Sequence, residues 1–212
     1  IAKTANPDGY TIISASSAAM TIAPQLHKKL PYDPLNDYAF LTLFAATPNV
    51  LVVNPSLPVK SMKDLMDYSK SRAGRINMAS AGAGSQSHLA GVLLQSMGKF
   101  ESLHVPYKGG SSTVAVASGE SQWSINPAPS VNALVKAGRL RAIGHTLLTR
   151  SAMMGDLPAI AETIPGYSYS GWQGMLAPKA TPKPILDKLR AALLKTMDLP
   201  EIRSSLTTLG AE

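Results

Sequence analysis

The residues best placed to do chemistry fall in 79–88, which reads Ala-Ser-Ala-Gly-Ala-Gly-Ser-Gln-Ser-His. A short apolar run at 76–79 leads into them, and Leu89, Val92, Leu93, Ser96 and Met97 follow at helical spacing. That order predicts a strand, a small-residue loop and a helix. The first turn of a helix leaves N–H groups without internal partners, and the helix dipole adds partial positive charge there. Gly82 and Gly84 let backbone come close to a ligand, and Ser85 and Ser87 add hydroxyl donors. Together they suit a carboxylate or a phosphate. The same residues also describe a capped helix after a tight turn, with Ser85 as N-cap.

Other chemistries find little support. Cysteine is absent, which excludes disulfides and thiol catalysis. His27, His88, His104 and His145 have no paired metal-ligand spacing, so neither a metal nor a cofactor is expected. Ser87 and His88 are neighbours on one helix and cannot face each other as nucleophile and base. No Gly-x-Ser-x-Gly elbow, P-loop or Gly-x-Gly-x-x-Gly occurs. An α/β hydrolase or transferase acting on a small anionic substrate stands as the alternative reading.

The chain has 212 residues, 45% of them hydrophobic, enough for one or two domains with sizeable cores. No apolar run approaches the ~20 residues that span a bilayer. No signal peptide is read, and the start at Ile1 reads as a mature or truncated product. A net charge of +7 could steer anionic ligands. Nucleic acid is not expected, because the basic residues are dispersed and aromatics make up only 6%.

Strand and helix signals alternate along the chain. Strands are expected at 10–16, 38–54 (interrupted at 47–49), 76–79, 102–106, 122–126, 140–146 and 170–177. Helices are expected at 18–29, 61–72, 111–117, 130–137, 182–197 and 200–209, besides the one after 88. Ser61 should cap the second of these, and Gly138 and Gly210 should end theirs. Such alternation implies a parallel sheet with helices on its faces, whose ligands bind beyond the carboxyl ends of the strands. The 79–88 stretch lies at such an end.

Several pieces then fall in a recognisable order. They are Asn6-Pro7-Asp8-Gly9-Tyr10-Thr11, Lys29-Leu30-Pro31-Tyr32-Asp33-Pro34, and Pro48-Asn49-Val50-Leu51-Val52-Val53-Asn54-Pro55. After 79–88 come His104-Val105-Pro106-Tyr107-Lys108-Gly109 and Lys136-Ala137-Gly138-Arg139-Leu140-Arg141-Ala142. Asp156-Leu157-Pro158, Pro165-Gly166-Tyr167, and Trp172 with Gly174-Met175-Leu176-Ala177-Pro178 complete the set. Across nearly its whole length the chain resembles the Bug (TctC) family, the periplasmic substrate-binding proteins of tripartite tricarboxylate transporters.

That resemblance implies an α/β class II periplasmic-binding-protein fold. Its two lobes, joined by two β-strand crossovers at 42–54 and 168–177, would close on a small carboxylate. Residues 1–48 and 165–212 would form the first lobe and 49–164 the second. Family members open with a further strand, ligand loop and helix, so the first lobe is expected to be truncated; a C-terminal helix would be missing too. The implied partners are the permease subunits of such a transporter, and the implied location is the periplasm.

Matched motifs carry the binding residues over. In the first lobe these are Ser16, Ser17 and Ala18. In the second they are Ala83, Gly84, Ser85, Ser87 and His88, followed by Tyr107, Lys108 and Gly109. The family usually has acids where this chain has Gln122 and Asn126. Asn126 both donates and accepts, which favours a ligand without an amine. Each residue also has an ordinary role open to it. Ser16 and Ser17 could cap the 18–29 helix, His88 could cap its own helix, Tyr107 could close a strand, and Lys108 could be a solvated charge. Trp123 and Trp172 read as core.

Overall fold

The computed structural model describes residues 2–72 and 74–208. Contacts divide the chain into two compact units, Ile1–Thr47 with Gly171–Glu212, and Pro48–Ser170.

The first unit opens with a single 3-10 turn, Ala2–Thr4. Strand β1 is only Ile13–Ser16. The expected start at Tyr10 fails because Asp8 accepts from the Tyr10 N–H at 3.0 Å, a side-chain turn that holds 8–10 out of any ladder. The helix expected at 18–29 is instead a π turn, Ala18–Ile22, running into a short α1, Ala23–Leu26. Pro24 lacks the N–H an α ladder needs and sits in the first turn of α1, so the preceding residues close a wider ring. Strand β2 is Tyr38–Val53, uninterrupted at 47–49, and enters the second unit at Pro48. Pro48 has no N–H to place, and the Asn49 N–H donates to Thr146 Oγ1 at 2.9 Å rather than to a ladder carbonyl.

In the second unit α2, Met62–Ser71, starts at Ser61, whose hydroxyl accepts from the Asp64 N–H at 3.1 Å. There follow β3 (Asn77–Ser80), α3 (Gln86–Gly98), β4 (Leu103–Pro106), α4 (Ser111–Ser118), β5 (Trp123–Pro127), α5 (Ala128–Lys136) and β6 (Arg141–His145). Two short 3-10 turns lead to β7, Ser170–Pro178. Back in the first unit, β7 pairs antiparallel with β1, Ile13 opposite Leu176. α6, Lys183–Met197, and α7, Pro200–Thr208, complete that unit. The stop expected at Gly210 lies outside the described residues.

The sheet of the second unit is mixed rather than all parallel. β3 runs parallel to β4 and to β5, while β2 is antiparallel to β5 and β6 on its two sides. β2 arrives from the other unit without a crossover helix, so nothing forces it into the common direction. Alternation sorts its residues onto two cores. Leu51 and Val53 pack with Leu65, Ala90, Leu94, Trp123 and Ile125 on the α2/α3 face. Val50 and Val52 pack with Ala79, Val116, Ala128 and Val131 on the α4/α5 face. Trp123 is a core residue, its indole N–H bonded to Ser102 Oγ at 2.9 Å, whereas Trp172 is half-buried. Tyr167 donates from its hydroxyl to the Ala90 carbonyl at 3.0 Å and ties the approach to β7 onto α3.

Candidate functional site

β5, β3 and β4 lie side by side, point the same way, and each feeds a helix: β3 leads to α3, β4 to α4 and β5 to α5. Three helix N-termini therefore open at one edge of the sheet, where strand C-termini and helix dipoles present partial positive charge together. The three strand-to-helix stretches, 79–88, 104–113 and 123–130, contain no aspartate or glutamate and one lysine, Lys108. This edge is electrostatically suited to an anion.

Loop 81–85 is tightly organised. Ser85 caps α3, its hydroxyl accepting from the His88 N–H at 3.3 Å. Ser87, nearly buried, accepts from the Ala81 N–H at 2.8 Å and lies 3.1 Å from Ser85 Oγ. The two hydroxyls hold two hydrogens, and their mutual contact uses one of them. With Ser87 donating to Ser85, the hydrogen of Ser85, the more exposed of the pair, is left to donate outward. Gly84, at φ +76°, takes the left-handed conformation this turn needs, and its N–H donates to His88 Nδ1 at 3.0 Å. In its neutral form His88 therefore carries its proton on Nε2.

His104, absent from the residues singled out by sequence, completes this corner. Its ring stacks on His88 at 3.9 Å between centroids with 18° between planes, and its Nε2 lies 2.6 Å from Ser80 Oγ. Burial holds both imidazoles below the usual histidine range, and His88 lowers His104 further. No sequence signal marked it: His104 is the second residue of β4, and it meets Ser80 only because β4 pairs with β3, where Met78 stands opposite it.

On the neighbouring strands, Tyr107 packs against the α4/α5 core and its hydroxyl meets Ser121 Oγ at 3.2 Å. Burial is the main reason its phenol is held above the ordinary tyrosine range. Lys108 and Gly109 are exposed at the start of α4. Gly109 has φ +54° and open space where a side chain would stand. Buried Asn126 accepts from Ser112 Oγ at 3.2 Å and donates to Ser124 Oγ at 2.7 Å. Both serines went unnoticed in the sequence. Gln122 is committed to structure, its side-chain carbonyl accepting from the Asn77 N–H at 2.7 Å.

The structure thus gathers Ala83, Gly84, Ser85, Ser87 and His88 into one loop and sets Tyr107, Lys108, Gly109 and Asn126 on the adjoining strand ends. Ser16, Ser17 and Ala18 belong to the first unit. Ser16 lines a cavity of about 260 Å³ with Ser14, Tyr32, Tyr38 and Gln173. Ser17 is buried and makes no capping bond to the turn that follows it. Among the described residues no group of three or more His, Asp or Glu could hold a metal, and no helix is long and apolar enough to cross a membrane.

Residues 1–212 match the tripartite tricarboxylate transporter family receptor, TctC, from end to end. The chain belongs to this receptor family. A relative from Pseudomonas sp. (strain P51), the UPF0065 protein in the tcbD-tcbE intergenic region, is 32% identical over 206 residues, covering 96% of this chain and 61% of its own. The chain thus spans about three-fifths of that relative's length. Among solved structures, R. palustris Rpa4515 with adipate superposes at TM-score 0.88 and 30% identity, covering 100% of this chain and 71% of that one. MatC (Rpa3494) from Rhodopseudomonas palustris with bound malate gives 0.81 and 30%, with 99% and 72% covered. The periplasmic binding protein BugD gives 0.81 and 30%, with 100% and 71% covered. The fold is accordingly that of the TctC periplasmic binding proteins. TctC members are solute receptors, and nothing in these likenesses supports the hydrolase or transferase alternative. The Ser80–His104 contact does not revive it, because Ser80 has no exposed surface from which to attack a substrate.

Proposed function

We propose that this chain is the ligand-binding part of a periplasmic solute receptor that captures a small carboxylate and presents it to the permease subunits of a tripartite tricarboxylate transporter. The observation that carries the reading is the acid-free edge where α3, α4 and α5 all begin. Such an edge offers backbone N–H groups, one outward hydroxyl, the neutral His88 Nε2–H and the Lys108 ammonium to an anion. Membership of the receptor family and the adipate and malate in two of its solved structures support carboxylate over phosphate.

In this reading Ala83, Gly84, Ser85 and His88 hold a carboxylate at the head of α3, and Tyr107, Lys108, Gly109 and Asn126 bound the site on the α4 and α5 side. Ser87 shapes the loop from beneath. Titration calorimetry with C3–C6 mono- and dicarboxylates, together with native mass spectrometry of freshly purified protein, tests it. At least one carboxylate should bind with a stoichiometry near one and an affinity that falls as salt rises. Failure of every carboxylate to bind, or equal binding of inorganic phosphate, would overturn the reading.

A further inference from the structure

Asn49 is the second residue of the second unit and has no exposed surface. Both its side-chain atoms, Nδ2 and Oδ1, lack a hydrogen-bond partner among the described residues. Its backbone is fully engaged: the N–H donates to Thr146 Oγ1 at 2.9 Å and the carbonyl accepts from the Thr146 N–H at 3.0 Å. The residue is pinned in place while its amide is left empty-handed. Folding gains nothing from that, since buried amides are normally satisfied and an apolar residue would serve the core better. Buried polar groups kept at such a cost concentrate at functional sites.

Register shows where the amide lies. β2 is antiparallel to β5, and Asn49 stands opposite Pro127, the residue at which β5 gives way to α5. Asn49 therefore sits at the sheet edge where the three helices begin. Alternation places it on the side of Leu51 and Val53, which is the α3 side, whereas Asn126, opposite Val50, faces the other way. β5 separates β2 from β3, so Asn49 and the 81–85 loop that follows β3 are two strands apart, about 10 Å at the usual strand spacing. Allowing ~3 Å for a hydrogen bond at each end leaves roughly 4 Å, the span of a short carbon chain.

We infer that Asn49 is a specificity residue of the carboxylate site: its amide takes the second polar end, a carboxylate or hydroxyl, of a short ligand whose first carboxylate rests on the 81–85 loop. The amide N–H donates to a ligand oxygen and the amide oxygen accepts from a ligand hydroxyl or a bridging water. This selects short dicarboxylates and hydroxy acids over monocarboxylates of equal length. The inference rests on the carboxylate reading above.

The test measures calorimetric affinity for two matched pairs, succinate with butyrate and adipate with hexanoate, in the wild type, Asn49→Leu and Asn49→Ala, alongside urea unfolding without ligand. Wild type should prefer one diacid over its monoacid by at least tenfold. Asn49→Leu should raise the urea midpoint, because it removes an unsatisfied buried amide at nearly constant shape, and should lower that diacid's affinity to the level of the monoacid. Asn49→Ala, which opens space and demands no new packing, should lose the same discrimination. Wild-type diacid preference retained in both variants would overturn the inference, as would a wild type that binds diacid and monoacid equally. A drop in the urea midpoint of Asn49→Leu would also overturn it, since the amide would then have a structural partner. A wild type that binds none of the four acids instead refutes the carboxylate reading itself.

Discussion

Substituting Ser87 by alanine tests whether the loop at the head of α3 is built from beneath. Ser87 is 3% exposed, accepts the Ala81 N–H at 2.8 Å and shares a hydrogen bond with Ser85 at 3.1 Å. Its removal leaves a partly buried N–H unpaired, which costs about 1–3 kcal/mol, and the first-turn position returns little in helix propensity. Ser87→Ala should therefore destabilise the protein by about 2 kcal/mol. Ser85→Ala loses an N-cap, about 1 kcal/mol. Each single change also breaks the shared hydroxyl bond, so the double variant should cost less than the sum by about 0.5–1 kcal/mol. Urea unfolding followed by tryptophan fluorescence, with an unchanged m-value, measures all three. Ser87→Ala should also weaken carboxylate binding although its own hydroxyl faces inward, because the loop N–H groups lose their aim. A Ser87→Ala variant within 0.5 kcal/mol of wild type, or strict additivity of the pair, would refute the hydrogen-bond arrangement on which the site is built.

Three further outcomes are expected. His88 and His104 both have their folded pKa depressed by burial, so the stability they contribute is complete above the unfolded value near 6.5 and is lost as pH falls through their lower folded values; the melting temperature should fall from pH 7.5 to pH 5, and less steeply in His88→Gln than in wild type. Arg141 donates to the carbonyls of Pro55, Leu57 and Val59 at 2.9–3.0 Å, so Arg141→Met should cost about 3 kcal/mol in urea unfolding, with Arg141→Lys recovering only part because an ammonium lacks the fork. In Gly91→Ala the new Cβ would collide with Met78 Sδ inside the core, so overpacking of about 1–3 kcal/mol should outweigh a helix-propensity gain of about 1 kcal/mol, and Met78→Val should relieve it.

The sequence by itself determined most of what is local. Ser61 and Ser85 announced their helices because an N-cap needs only a hydroxyl and the N–H groups just ahead of it. The glycine–serine run at 79–88 announced an anion loop for the same reason: its donors lie within ten residues of one another. Composition ruled out thiol chemistry, and the ordered motifs pointed to the family.

Tertiary structure decided whatever depended on partners distant in the chain. The direction of β2 is set by strands β5 and β6, some seventy to ninety residues away, so alternation alone read a mixed sheet as parallel. The single uninterrupted strand through Pro48 depends on Thr146, which takes the Asn49 N–H from nearly a hundred residues away, a partner that propensity does not encode. His104 joined the site only because β4 lies beside β3, and Ser112 only because α4 packs over β5. Asn49 could be read in sequence as one residue of a motif. That its amide is buried, without a partner among the described residues, at the edge where three helices begin is a property of the folded sheet alone, since burial and hydrogen-bond satisfaction exist only between segments brought together in space.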